Sequence, residues 1–395
     1  MKILITTEFY LPFRCGVTTA VLNERKALES KGHEVRILTI SGDHKSYFQD
    51  GVYYIRNNFP QLYKDSYASI AIFDPLLKEL YDWSPDIVHS QCEFFTMFFA
   101  KKIAKRLNIP LVHTCHTDFD AYMVHFTSNE HIWDWATSTF IPKLLKPVDY
   151  VICPTDKVYD LLLKYGVKNR TSILPTGLDL ERFHTKMNKK DRVNLRRSFL
   201  FNDDEIVFVS VSRLSEEKNI EESITHFASL HQKKSNTRML IVGEGTEREK
   251  LQEMVEVMSL SDFVKFAGNI PMEEVWKYYQ CGDIFISSSM SETQGFTYIE
   301  ALASGLPIIC KKDPVLDRTL IEGENGFSFT SNKDFIENAI KLVENKSLRE
   351  KMGISAVNSA EKYSLSHFAD SLLEIFAKAE EIKKNKIPND YDNDV

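Results

Sequence analysis

Two carboxylates, Glu292 and Glu300, stand eight residues apart in SETQGFTYIEALASG, with Gly295 and Thr297 between them. A short apolar run, Ile284 to Ile286, precedes them and reads as a buried strand. Phe296, Ile299, Ala301, Leu302 and Ala303 then recur at helical density until Gly305 and Pro307 end the helix. A helix that opens at Gly295 aims the N–H groups of Phe296, Thr297 and Tyr298 back at the strand end, a ready site for an anion such as a phosphate. Glu300 lies one turn inside. A carboxylate there is out of place beside an anion unless it faces hydroxyl groups next to the phosphate, and a nucleotide's ribose or a sugar fits.

A second constellation is SRLSEEKNI, in which Arg213 follows a strand ending at Ser212 and Lys218 follows an acidic turn. Two cations at a strand's carboxyl end suit a diphosphate, the Arg through its fork and the Lys as a point charge. Taken alone they read as surface charges near a helix start; with the element at 291–305 in the same sheet the phosphate reading prevails. Gly243-Glu244-Gly245 is a strand-to-helix turn that the pattern leaves open between a plain turn and a phosphate loop. The loop after the first strand holds only Gly16, so a G-x-G-x-x-G dinucleotide site is absent, as is a Walker A loop.

These residues need a scaffold. Strand-like runs at Ile3–Thr6, Glu34–Ile40, Val52–Arg56, Asp86–Ser90, Pro110–Thr114, Tyr150–Cys153 and Ser172–Leu174 alternate with helical patterns, and Pro175-Thr176-Gly177 breaks the series. After a charged, non-strand segment from Asp179 to Asp204, a second alternation begins at Ile206. The fold class expected is α/β: two doubly wound, Rossmann-like domains facing a central cleft, with ligands outside the carboxyl ends of the strands. The expected organisation is residues 1–175, a first Rossmann-like domain; 176–365, a second that carries the candidate anion and hydroxyl site; a helix at 366–384 crossing back to the first domain; and a disordered tail at 385–395.

A chain of 395 residues exceeds one ordinary core, and 43% apolar with 27% charged residues is the composition of a globular protein. The net charge of −7 argues against a nucleic-acid partner. It is unevenly spread: up to Arg170 there are 20 basic and 19 acidic residues, and beyond it 29 and 37, so the first half is the one to tolerate an anionic surface. Six cysteines at 15, 92, 115, 153, 281 and 310 form no CxxC pair, which speaks against metal clusters and a secreted disulfide framework. The start, MKILITTEFY, is too short for a signal peptide, and no run approaches a membrane span. A cytoplasmic protein, peripheral at most, is expected.

Taken together, SRLSEEKNI, GEG, FAGNIP (266–271), Glu292 with Glu300, ALASGLPII (301–309), FYLP and GV (9–17), KGHEV (31–35), HTCHTDF (113–119) and LPTGLD (174–179) resemble the retaining glycosyltransferases of family 4 over nearly the whole chain. The resemblance implies the two-domain GT-B fold. It implies that Arg213 and Lys218 hold the diphosphate of a nucleotide-sugar donor, that Glu300 takes the ribose hydroxyls, and that Glu292 faces hydroxyls of the transferred sugar. It also places His116 near the sugar and reacting centre and brings the Gly16 loop to the phosphates through backbone. Many relatives carry two glycines where this chain has Cys15-Gly16. The donor-binding set is therefore Gly16, Arg213, Lys218, Glu292, Gly295, Phe296, Thr297 and Glu300, and the catalytic set His116, Glu292, Arg213 and Lys218. No Asp-x-Asp cluster stands at a strand end, so no tightly bound cofactor and no obligatory metal are expected. Front-face attack assisted by the leaving diphosphate is the implied mechanism.

For the acceptor, FFTMFFAKKIAKRL (94–107) puts Met97, Ala100, Ile103, Ala104 and Leu107 on one helical stripe. Phe94, Phe95, Phe98, Lys101, Lys102 and Lys105 fall on the other, aromatics followed by a basic cluster that suit an anionic lipid surface. The stretch from Thr117 to Val148 reads as long, irregular and aromatic, with Phe119 and Tyr122 in its first part. Within the family, HTDFDAYMVHF and SETQGFTYIEALASGLPIICKKDP look most like bacterial diacylglycerol glucosyltransferases, which use UDP-glucose. A transferase of capsule or other surface polysaccharides using UDP- or GDP-sugars, a nucleotide-sugar epimerase and a regulatory binder are the alternatives.

Overall fold

The computed structural model describes residues 1–13, 15–59, 67–116, 130–290, 292 and 294–385, with backbone alone for 130–136. Strands such as KILIT and IVFVSV have no polar face to offer water, so each needs cover on both sides, and that need dictates helices above and below a parallel sheet.

The first unit is Met1–Leu178 with the last helix of the chain. In order it holds β1 (Lys2–Thr6), α1 (Gly16–Ser30), β2 (Glu34–Ile40), β3 (Tyr47–Gln49), β4 (Val52–Ile55), α2 (Leu76–Trp83), β5 (Ile87–Ser90), α3 (Phe95–Leu107), β6 (Leu111–Thr114), α4 (Glu130–Leu145), β7 (Tyr150–Cys153), α5 (Asp156–Lys164) and β8 (Thr171–Ile173). The sheet order is β3-β4-β2-β1-β5-β6-β7-β8, parallel except for β3 against β4. The chain winds outwards both ways from β1 and β5, so their carboxyl ends flank the switch point where such sheets hold ligands.

One face is packed by α2, α3, α4 and α5 through residues such as Leu80, Met97, Phe99, Ile103, Ile141 and Leu162. The other is packed by α1 and the final helix, α14 (Leu365–Asn385), whose Phe368, Leu372, Ile375 and Phe376 are buried with Ile3, Ile5, Val21 and Val112. Each such side chain stabilises the fold by about 1.5–3 kcal/mol. Gly177 gives α14 its seat: a Cβ there would lie 2.6 Å from the Cβ of Phe368, while its carbonyl accepts from Asn23 Nδ2 at 2.9 Å. The glycine of LPTGLD is thus explained by packing.

The second unit, Asp179–Ser364, holds α6 (Glu181–His184), α7 (Lys189–Ser198), β9 (Ile206–Val211), α8 (Ile220–His231), β10 (Thr237–Val242), α9 (Arg248–Val257), β11 (Val264–Gly268), α10 (Val275–Cys281), β12 (Ile284–Ser287), α11 (Phe296–Ala303), β13 (Ile308–Lys311), β14 (Gly326–Phe329), α12 (Asn332–Glu344) and α13 (Lys346–Ala360). Its sheet runs β11-β10-β9-β12-β13-β14, and every pairing is parallel.

One local reading is corrected, and elements are added at two places. The stretch from 117 to 148 is not irregular throughout: from Glu130 it is helix α4. Pro142 reads as a breaker, and the sequence around it, with Ile132, Trp133, Trp135, Phe140 and Ile141, is apolar on all sides and shows no amphipathic period. The edge strand β3 escapes notice because it is three residues long and exposed throughout, with no alternation to betray it. The charged segment from Asp179 to Asp204 carries α6 and α7, and α7 is pinned by charge. Arg196, almost fully buried, and Arg192 bind the two oxygens of Asp283 at 2.7 and 2.8 Å.

Candidate active site

In the second unit the candidate residues sit on three loops at the carboxyl ends of β9, β10 and β12. Gly295 caps α11 with φ +70°, and a Cβ there would stand 2.4 Å from the ring of Tyr298, so glycine is required for the turn that starts the helix. That turn closes through a bond from Tyr298 N–H to Gly295 O at 3.0 Å. Of the three amides expected to face an anion, the Tyr298 one is therefore already used, and Phe296 and Thr297 supply the first-turn N–H groups.

Glu292 lies just ahead of this helix. Its Oε1 accepts from Lys218 Nζ at 2.6 Å and from Ser289 Oγ at 3.1 Å. Lys218 ends a short 3-10 turn, Glu216–Lys218, that follows β9. Arg213, on the same loop, is well exposed; its Nη2 donates to Glu217 Oε1 at 2.8 Å. The loop is held from beneath by the GEG turn. A Cβ on Gly243 would sit 1.8 Å from Ser212 O and one on Gly245 2.1 Å from Leu214 O. Leu214 N–H donates to Glu244 O at 2.9 Å, and Glu247 N–H donates to Leu214 O at 3.0 Å. The two glycines let backbone touch backbone, which places Arg213 and Lys218.

Glu300 faces inward from the second turn of α11, and Tyr279 O–H donates to its Oε2 at 2.7 Å. Burial pushes its carboxyl up to about 7, against the pull of the Tyr279 bond and the positive charge of Arg182. Neither Tyr279 nor Arg182 was foreseen. Residues 291 and 293 lie outside the described residues. A cavity of about 660 Å³ also opens in this unit, lined by Gly282, Asp283, Leu306 and Pro307, which precede β12 and β13. It lies at the amino ends of the strands, away from these loops.

In the first unit, α1 starts at Gly16 behind an extended Cys15, and a Cβ on Gly16 would meet nothing within 4 Å. His116 follows β6. Its Nε2 lies 2.6 Å from Gln91 Oε1, Gln91 Nε2 donates to Glu24 Oε2 at 2.6 Å, and Glu24 Oε1 is 2.7 Å from His89 Nδ1. Burial lowers the His116 pKa to about 4, so its imidazole is neutral near pH 7. The sequence held a signal for these partners: His89 and Gln91 share one side of the β5 strand end, and Glu24 interrupts the apolar positions of α1. Nearby, burial raises the Glu8 carboxyl to about 7, against a hydrogen bond from Thr96 N–H at 3.0 Å. Among the described residues, Glu93, His113 and Cys115, all buried, bring one ligand atom each within 4.8 Å of one another, a spacing that would admit a metal ion and that sequence spacing did not disclose.

On α3, Phe94 and Phe98 are about half exposed, and they are joined by Ile70 and by Phe73, which is 89% exposed. Phe95 is less open, its ring 6.3 Å from that of Phe59. The basic face is also drier than expected. Lys101 is half-buried, with its pKa lowered by burial, and Lys102 donates to Ile72 O at 3.0 Å with its ammonium over the Phe73 ring. Lys105 is exposed. Phe119 and Tyr122 lie outside the described residues.

The family described as "Glycosyltransferase Family 4" matches residues 15–182, and "Glycosyl transferases group 1" matches residues 191–358. The alpha-monoglucosyldiacylglycerol synthase of Streptococcus pneumoniae is 32% identical over 85% of this chain and 76% of its own length. The protein of the same name from Acholeplasma laidlawii is 28% identical over 94% of this chain and 95% of its own. Among solved structures, Anabaena HepE in complex with UDP and glucose superposes with a TM-score of 0.74 at 17% identity, over 95% of this chain and 99% of that one. It shares the fold, the GT-B pair of parallel-sheet α/β domains. With each parallel sheet matched by its own glycosyltransferase family description and a relative above 30% identity matched along most of its length, the chain belongs to glycosyltransferase family 4.

Proposed function

We propose that this protein transfers a hexose, glucose from UDP-glucose, to a membrane lipid such as diacylglycerol with retention of anomeric configuration. The observation that carries the donor half is the arrangement along α11. Its first turn offers N–H groups to a phosphate, Lys218 bonds Glu292 just ahead of it, and Glu300 lies one turn in. Departure of the diphosphate leaves negative charge, which Arg213, Lys218 and the helix start stabilise, so the positive charge comes from the chain itself. Glu292 faces hydroxyls of the sugar and Glu300 those of the ribose. His116, neutral, orients rather than protonates, and the leaving phosphate takes the acceptor's proton in a front-face attack.

The names of the relatives support the acceptor half: two are alpha-monoglucosyldiacylglycerol synthases. Two features of the first unit fit a lipid. A cavity of about 270 Å³ at the carboxyl ends of β1 and β2, lined by Glu8, Tyr10, Pro12, Phe13, Tyr54 and Tyr67, has room for a headgroup. The exposed Ile70, Phe73, Phe94 and Phe98, with Lys105, suit an anionic bilayer, and no helix among the described residues is long and apolar enough to cross one. A peripheral place on the inner face of the plasma membrane follows.

The test offers UDP-glucose and GDP-mannose, each with diacylglycerol in anionic vesicles and with water-soluble sugars, and identifies products by mass. Glucosyl-diacylglycerol is expected from UDP-glucose. Transfer only to soluble sugars removes the lipid acceptor, and sugar turnover without an acceptor favours an epimerase.

A further inference from the structure

The first unit contains a buried polar chain that the roles assigned above do not use: Thr114, His89, Glu24 and Gln91, ending at His116. Thr114 Oγ1 lies 2.8 Å from His89 Nε2, and the remaining links are the 2.6–2.7 Å contacts already described. Glu24, His89 and Gln91 are each at most 2% exposed, whereas His116 keeps partial exposure. We infer that Gln91 and Glu24 are positioning residues that fix His116 as the tautomer protonated at Nε2, so that the ring presents Nδ1 as a hydrogen-bond acceptor to a hydroxyl of the bound substrates.

The donor and acceptor inventory of the chain leads there. An ionised carboxylate only accepts, so the amide nitrogen of Gln91 must face Glu24. Its amide oxygen must then face His116, and that oxygen also only accepts, so His116 Nε2 carries the hydrogen. A neutral imidazole has one N–H, which leaves Nδ1 bare. His89 holds the second oxygen of Glu24 and prevents the carboxylate from swinging away. A bare Nδ1 attracts a hydroxyl and repels a phosphate oxygen. On the proposed function, which this inference rests on for the identity of the ligand, His116 therefore orients a hydroxyl of the sugar or the acceptor and cannot deliver a proton from Nδ1 to the leaving phosphate.

The experiment is ¹⁵N–¹H multiple-bond NMR of the full chain labelled at histidine, near pH 7, with the His116 resonances assigned by their loss in His116→Gln. The wild type is expected to show a protonated Nε2 and an unprotonated Nδ1. Gln91→Glu, whose acid form can donate to Glu24 and accept from His116, should keep that pattern. Gln91→Leu should give mixed tautomers, and kcat should fall roughly tenfold, about the worth of one hydrogen bond, with little change in KM for the donor. A wild-type ring protonated at Nδ1, or a pattern unmoved by Gln91→Leu, overturns the inference. Circular dichroism and denaturant unfolding of the full chain check that each variant is folded. The ring is read without substrates, so a protein that transfers no sugar would defeat the proposed function and leave the tautomer result standing.

Discussion

The polar groups around His116 and those around Glu292 are held in opposite ways. In the first unit each partner of His116 is buried and committed to the next, from Thr114 through His89 and Glu24 to Gln91. In the second unit the charged groups pair directly with one another: Arg213 with Glu217 at the surface, and Lys218 with Glu292 partly buried. Buried networks cannot rearrange without leaving an unsatisfied group, which costs about 1–3 kcal/mol, so they fix orientation. An exposed ion pair such as Arg213–Glu217 is worth about 0–1 kcal/mol and yields readily when a diphosphate offers more charge. The first arrangement is preorganised, and the second is exchangeable.

The strongest way to break this comparison is Glu292→Ala. It removes a partner of Lys218 and the proposed contact to the sugar, and transfer should fall on the order of 100- to 1,000-fold. UDP affinity, read by calorimetry, should stay within about threefold, because the groups proposed to hold the diphosphate, Arg213, Lys218 and the start of α11, are all retained. Unchanged transfer would sink the assignment of Glu292. Gly295→Ala comes next. Forcing an alanine into φ +70° against the Tyr298 ring should cost about 1–2 kcal/mol of stability, measured by denaturant unfolding, and weaken UDP binding with it.

A pH dependence sharpens the comparison. Glu300 titrates near 7 in the folded protein against an ordinary 4.5, so the folded state holds its proton more tightly. That stabilisation is full below about 4.5 and is lost as pH rises through 7. On the proposed ribose contact, hydroxyls donate best to the ionised form of Glu300, so UDP affinity should rise about tenfold from pH 6 to pH 8, and Glu300→Gln should flatten the profile. The smallest effect is expected from Phe73→Ser in the first unit. Sedimentation with anionic vesicles should drop a few-fold while UDP affinity stays the same, the mirror image of a donor-site variant.

Much of this was legible in the sequence because parallel strands buried on both faces are read directly as apolar runs. The element at 291–305 was legible because Gly295, the apolar period and Pro307 mark a strand, a turn and a helix without any help from elsewhere in the fold. The partners of that element were not. Tyr279 and Arg182 reach Glu300 from α10 and α6, and nothing in their spacing to residue 300 announces it. Lys102 reads as part of a basic cluster facing a lipid surface, but the loop at Ile72 and Phe73, distant in sequence, folds over it. The helix α4 was hidden by Pro142 and by an apolar surround that erases the period.

The sequence by itself determined the α/β class, the two alternations, the charged and glycine positions around Glu292 and Glu300, and the family to which they belong. These are local properties, set by burial pattern and backbone chemistry within a dozen residues. Only the tertiary structure decided that Lys218 meets Glu292, that GEG is pressed backbone to backbone beneath the Arg213 loop, and that Glu24 commands His116 through Gln91. Such contacts join residues from 25 to 74 positions apart. Their existence depends on strand order and helix placement, and those are chosen by the packing of whole layers.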